Sequence, residues 1–122
     1  MIKVGEYVRT NRGIGKVLEV KTVQFEMYGQ HDVVYKIDIC PRMYITKTNI
    51  LKHSPNIIDL IEVGDIVNNG YIYEIGSTED GGKWVHNLNG LLLFEKDIKT
   101  ILTHEQYQAN CYTVERKVEE WI

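Results

Sequence analysis

The chain of 122 residues has no apolar run near the roughly 18 to 20 residues that a bilayer crossing needs. Met1-Ile2-Lys3-Val4 leads straight into a strand pattern with no signal-peptide core. No membrane contact is expected, and the cytoplasm is the expected compartment. Cysteine is scarce: Cys40 and Cys111 are the two, far apart and outside any CxxC spacing. That excludes a disulfide framework and fits reduced thiols. Proline is equally scarce, with Pro41 marking a corner after Cys40 and Pro55 holding Ser54 extended. With 43% hydrophobic and 25% charged residues, neither a disordered nor a fibrous class is indicated.

Recognisable chemistry is also missing. His31, His53, His86 and His104 have no partner His, Cys or acid at metal-ligand spacing, apart from Asp32 beside His31. Gly13-Ile14-Gly15 lies in a hairpin-like stretch without the further glycine and helix that a phosphate loop requires. Cys40 precedes a proline and Cys111 has no neighbouring His to lower its pKa. Adjacent acids such as Glu79-Asp80 and Glu119-Glu120 read as solvated charge. No catalytic, cofactor or metal residue is assigned, and the expected class is a binding protein that is not an enzyme.

What is present is an internal repeat. Val4-Gly5-Glu6-Tyr7-Val8 returns as Val63-Gly64-Asp65-Ile66-Val67, each followed by a Gly-bearing turn and an alternating segment. KVLEV at 16–20 answers YIYEI at 71–75, DVVYKID at 32–38 answers GKWVHNL at 82–88, and RMYITKTNILKHS at 42–54 answers LLLFEKDIKTILT at 91–103, with Ile50 and Ile98 equivalent. Short strands separated by Asn11-Arg12-Gly13, Asn69-Gly70, Asp80-Gly81-Gly82 and Asn89-Gly90 have the rhythm of small β-barrels. The expected organisation is two packed β-modules, 1–54 and 55–122.

Alternation nominates a core. Tyr35, Ile37 and Ile39 are expected inside the first module, and Ile72, Ile75, Trp84, Leu88, Leu92, Phe94, Ile98 and Ile101 inside the second. The joint at 56–61 is apolar, with Asn56 placed to cap a single turn, so it is expected to pack between the modules and make them one rigid body. Thr103-His104-Glu105-Gln106 fits a capping box and predicts a helix over about 104–110. A closing strand is expected at 111–114. A charged tail follows, with Val118, Trp121 and Ile122 at helical spacing.

The net charge of −3 is split. Residues 1–55 carry a balance of +4 and residues 56–122 one of −7. Opposite modules can attract each other or meet different partners. Tyr7, Arg9, Arg12, Lys16, Tyr28, Tyr35, Arg42 and Tyr44 mix basic and aromatic groups on the first module, the combination that neutralises phosphates and stacks bases. Asp59, Glu62, Asp65, Glu74, Glu79 and Asp80 form an acidic set on the second that can meet a basic protein surface. Core tyrosines and a solubilising acidic face are the plain alternatives.

VGEYVRTNRGIGKVLEV resembles the first hairpin of an SH3-like or KOW-type barrel. HSPNIIDLIEVGDIVNNGYIYEIG at 53–76, with IKTILTHEQYQANCYTVE at 98–115, is similar to a set of small proteins carried by phages and prophages of Firmicutes. Here a second Asn stands at 68–69, where a single-Asn turn is commoner, a change expected to touch only the hairpin. The resemblance carries no catalytic residues to transfer. It implies an accessory protein in the cytoplasm of a bacterial host. Such a protein would bind host or phage proteins and modulate a host system, a CRISPR nuclease being one example. Nucleic-acid binding by the basic first module is the alternative.

Overall fold

The structure is a computed structural model that describes residues 1–25, 30–111 and 114. Tyr28, the closing strand's Tyr112 and Thr113, and the tail 115–122 lie outside these residues. The described chain is mainly β. Strands β1 (Tyr7–Thr10), β2 (Gly13–Phe25), β3 (Gln30–Ile37), β4 (Tyr44–Thr46) and β5 (Ile50–Ser54) form one antiparallel sheet in the order β4-β3-β2-β1-β5. Strands β6 (Ile66–Val67), β7 (Gly70–Ser77), β8 (Lys83–Asn87), β9 (Leu92–Leu93) and β10 (Ile101–Leu102) form a second in the order β10-β6-β7-β8-β9. The two orders are the same topology. A 3-10 turn precedes the last strand of each, at Lys47–Asn49 and Glu95–Asp97, and helix α1 spans His104–Asn110.

The repeated pentapeptide has a physical content that recurs bond for bond. Gly5 and Gly64 have φ of +91° and +101°, a region that carries a steric cost for residues with a Cβ. Each donates its N–H across to the following strand, Gly5 to Val17 and Gly64 to Ile72, both at 2.9 Å. The acids turn back on the chain: the Glu6 carboxylate accepts the Lys3 N–H at 2.5 Å and the Asp65 carboxylate accepts the Glu62 N–H at 2.8 Å. Val8 and Val67, which close the pentapeptides, are fully buried.

Both units also carry a register shift at the same place, after Val17 in β2 and after Ile72 in β7. One extra residue on one strand changes which side chains face inward beyond it. The shifts lie in β2 and β7, whereas β8 alternates without a break, with Val85 and Asn87 inward, and the expected core takes the other phase there. Tyr35, Ile37 and Ile72 are buried, and Ile98 and Ile101 pack against the second core, as the pattern predicts. Ile39, Ile75, Leu88 and Leu92 are exposed instead, Trp84 and Phe94 are half-buried, and the buried positions are Val85 and Leu93. In β8 and β9 the inward face is one residue away from the expected one.

The joint packs as its composition demands. Ile58, Leu60 and Ile61 are buried in the turn Ile57–Leu60 and just beyond it, and the turn touches β1 and β5 of the first sheet and β8 of the second. Asn56 occupies the N-cap position, but its side chain makes no capping bond. Glu95, distant in sequence, supplies the acceptors: its carboxylate takes the N–H groups of Ile57 and Ile58 at 3.0 and 2.8 Å. The α1 capping box forms as predicted, with Thr103 Oγ1 accepting from Gln106 N and Gln106 Oε1 accepting from Thr103 N.

The Asn68-Asn69 pair, not Asn69-Gly70, supplies the positive φ values of the β6–β7 turn, 51° and 66°. Gly70 lies within β7, where a Cβ would come to 2.6 Å from the Asn87 side chain. The doubled Asn turn also reaches past the hairpin, through Asn68. Asn68 donates to the Asp97 carbonyl at 2.7 Å and accepts from Lys99 N and Thr100 N at 2.8 and 3.2 Å, pinning the segment that enters β10.

Candidate functional site

Two places concentrate chemical groups: the junction between the units, and the outward faces of the two sheets. At the junction, β1 delivers Arg9 into the second unit with no solvent exposure. A guanidinium has five N–H donors, and all five are used. Nε bonds Glu105 at 3.1 Å, Nη1 bonds the Leu60 carbonyl at 2.8 Å and Asp65 at 2.6 Å, and Nη2 bonds Asp65 at 2.8 Å and Glu105 at 2.5 Å. Burial opposes the Arg9 charge, but its hydrogen bonds to the Asp65 and Glu105 carboxylates outweigh it and hold the guanidinium above its ordinary range.

Glu62 sits at the rim of this cluster, 3.6 Å from Arg9 Nε and 3.0 Å from Lys52 Nζ, with His104 Nε2 at 3.1 Å. Desolvation pushes its pKa up, yet the His104 and Lys52 hydrogen bonds and the Arg9 charge bring it below the ordinary value. Glu62, His104 and Glu105 place potential metal-ligand atoms within 4.8 Å of one another, a grouping their spacing in sequence does not announce. The same carboxylates are already committed to Arg9 and Lys52, and a divalent ion would sit against a guanidinium. The cluster's chemistry is that of a clamp between the units.

The outward faces can be compared rung by rung, because the two registers match. In the first unit Glu19 pairs with Lys36 and Lys36 with Tyr44, while Lys21 pairs with Val34. In the second, Glu74 pairs with His86 and His86 with Leu92, while Gly76 pairs with Trp84. The acid recurs and its surroundings do not. Where the first unit presents Lys21, Lys36 and Tyr44, the second presents Gly76, His86 and Leu92, with Trp84 in the place of Val34.

The second face is aromatic. A Cβ on Gly76 would overlap the Trp84 ring, so the absence of a side chain lets the indole lie over the strand. The Tyr73 ring is 4.9 Å from the His86 ring, and its hydroxyl meets His86 Nδ1 at 2.8 Å. Tyr71, Tyr73, Leu91 and Leu92 are all more than 40% exposed. Trp84 and Leu92, expected in the core, thus lie on the outward rungs, Trp84 half-buried and Leu92 exposed: β8 alternates with Val85 and Asn87 inward, and its pairing with β9 sets Leu92 beside His86.

The predicted acidic set divides. Asp65 is buried in the clamp and Glu62 is tied to it, so Asp65 belongs to no open face. Asp59 accepts from Ser54 Oγ at 2.6 Å and pairs with Lys83 at 3.1 Å; the Ser54 bond, which overcomes partial burial, lowers its pKa. Glu74, Glu79 and Asp80 are exposed along β7 and its hairpin. Asp80 is hydrogen-bonded by Thr78 Oγ1, which lowers its pKa.

The basic set divides too. Arg9 is buried and withdrawn from any surface, Tyr28 lies outside the described residues, and Tyr35 is core. Lys16 Nζ lies over the Tyr7 ring at 5.7 Å. Tyr44 is flanked by Lys21 and Lys36 at 5.7 and 5.0 Å from its ring centre, and its hydroxyl bonds Glu19 at 3.2 Å. Arg12 and Arg42 are exposed. In comparisons with family models, curated proteins and solved structures, nothing matches this chain.

Proposed function

We propose that this chain is a non-enzymatic binding protein built of two SH3-like barrel units, acting through the outer face of the second unit on a protein partner. The barrel reading rests on β1 and β6. Each pairs on both sides, with the next strand and with the last strand of its unit, the neighbour relation that curls a short meander round on itself.

The outward cluster of exposed Tyr73 and Leu92 with half-buried Trp84 and His86 carries the functional reading. Large aromatic side chains supply most of the energy at protein interfaces, at low cost in side-chain entropy. A soluble unit gains nothing in its own stability by presenting several together. Glu74, Glu79 and Asp80 lie alongside this cluster, so the complementary partner surface is basic. The partner proposed, on the strength of the resemblance to phage and prophage proteins, is a cytoplasmic protein of a bacterial host, with modulation of a host system, a defence nuclease included, as the outcome.

The test is affinity capture from host lysate with the unaltered chain, a Tyr73→Ala/Trp84→Ala variant and a Lys21→Glu variant. A discrete partner lost with the aromatic variant and kept with the lysine variant supports the reading. Capture indifferent to both, or lost only with Lys21→Glu, overturns it.

A further inference from the structure

We infer that the outer face of the first unit binds single-stranded nucleic acid, independently of the aromatic face of the second. The carrying feature is a groove of about 310 Å³ beside β4, lined among others by Thr10, Arg12, Cys40, Met43, Tyr44 and Asn49, with no carboxylate in its lining. That volume is within the range of small-ligand clefts. Among the described residues, the acceptors of the Arg12 guanidinium are soft ones, the sulfurs of Cys40 at 3.7 Å and Met43 at 3.5 Å, and a harder, charged oxygen would bond it more strongly.

Tyr44 forms the border between this groove and the sheet face, where the Lys21 and Lys36 ammonium groups flank its ring. One exposed aromatic ring flanked by two ammonium groups, bordering an acid-free groove that holds a guanidinium, matches a base with its neighbouring phosphates. Glu19, beside the ring, is 3.7 Å from Lys36 and bonded to the Tyr44 hydroxyl. It offsets one charge, and among the described residues neither Arg12 nor Lys21 is in an ion pair. The second unit shows that the fold does not require these groups: at the rungs of Lys21, Lys36 and Tyr44 it carries Gly76, His86 and Leu92. The basic and aromatic groups of the first face are therefore not set by the packing of the sheet.

Fluorescence anisotropy with labelled single-stranded DNA and RNA of about 20 mixed nucleotides tests this. Three cation contacts on a single strand predict a fall in affinity of about 20-fold between about 50 and 200 mM salt. Arg12→Glu/Lys21→Glu alters two exposed side chains and should weaken binding at least about tenfold while the circular dichroism spectrum stays unchanged. Tyr44→Ala should also weaken it, and Trp84→Ala should leave it intact, separating this face from the protein-binding one. No binding at about 50 mM salt overturns the inference. So does binding that survives the double charge reversal, or binding to phosphatidylserine vesicles without binding to the oligonucleotides.

Discussion

Arg9 and Asp65, 56 residues apart, are joined by two parallel bonds of 2.6 and 2.8 Å, and neither side chain has any solvent exposure. Asp65 is the acid of the second Val-Gly-acid-x-Val repeat and also accepts the backbone N–H groups of Glu62 and His104 at 2.8 and 3.0 Å. The first strand of one unit is thereby wired to the first strand and the helix start of the other.

Arg9→Met should cost about 3–5 kcal/mol, because it strands the buried Asp65 carboxylate without its counter-charge. Asp65→Asn leaves one acceptor oxygen where two carboxylate oxygens each take a backbone N–H, so it loses one of those bonds as well as the ion pair, and the double variant should lose less than the sum of the singles by about 1–3 kcal/mol. Urea unfolding of the four proteins measures this. Simple additivity would show that the pair is not coupled.

The two asparagines of the β6–β7 turn should respond with opposite signs. Both have positive φ, so glycine relieves the backbone at either site. Asn68→Gly also removes three hydrogen bonds to the segment 97–100, each worth about 1 kcal/mol, and should destabilise. Asn69→Gly should be neutral or slightly stabilising. Paired thermal melts decide, and equal responses would contradict the pinning role of Asn68.

Acid should destabilise the protein. Glu6 is held below its ordinary pKa by the Lys3 backbone N–H and by His53, Asp59 chiefly by Ser54, and Glu62 by His104, Lys52 and Arg9 against its burial. A carboxylate with a lower pKa folded than unfolded binds fewer protons folded. Its stabilisation is full above the unfolded value, about 4 to 4.5, and disappears as pH falls through the folded one. The urea midpoint should therefore hold between about pH 7 and 5 and fall at about pH 3.5. Glu62→Gln should flatten the fall, and a midpoint that rises toward acid would contradict the assignment.

Gly76→Ala should uncouple the aromatic face from the fold. The new methyl overlaps the Trp84 ring, and because that indole is only half-buried it can swing away at a cost of about 1 kcal/mol or less. Emission from Trp84, read in a Trp121→Phe background, should shift while the unfolding midpoint barely moves. Partner capture should weaken with it. An unchanged emission spectrum would mean that Gly76 does not seat the ring.

The repeat, the charge split, the α1 capping box and the apolar joint were legible in the sequence, because each depends on residues close together in the chain. A glycine with positive φ, an acid three residues after a backbone donor and a Thr-x-x-Gln cap all enforce local geometry wherever they occur. Which face of β8 and β9 points inward was not legible. Both strands alternate, and which alternating set is buried depends on the strands they pair with and the core they meet, which turned Val85 and Leu93 inward and Trp84 and Leu92 outward. The clamp was equally hidden: Arg9 and Asp65 were apparent only as members of opposite charged sets, and only docking of the two units brought them into one buried pair. Local chemistry determined the pieces of this protein, and tertiary contact decided which of its charges and rings remain free to meet a partner.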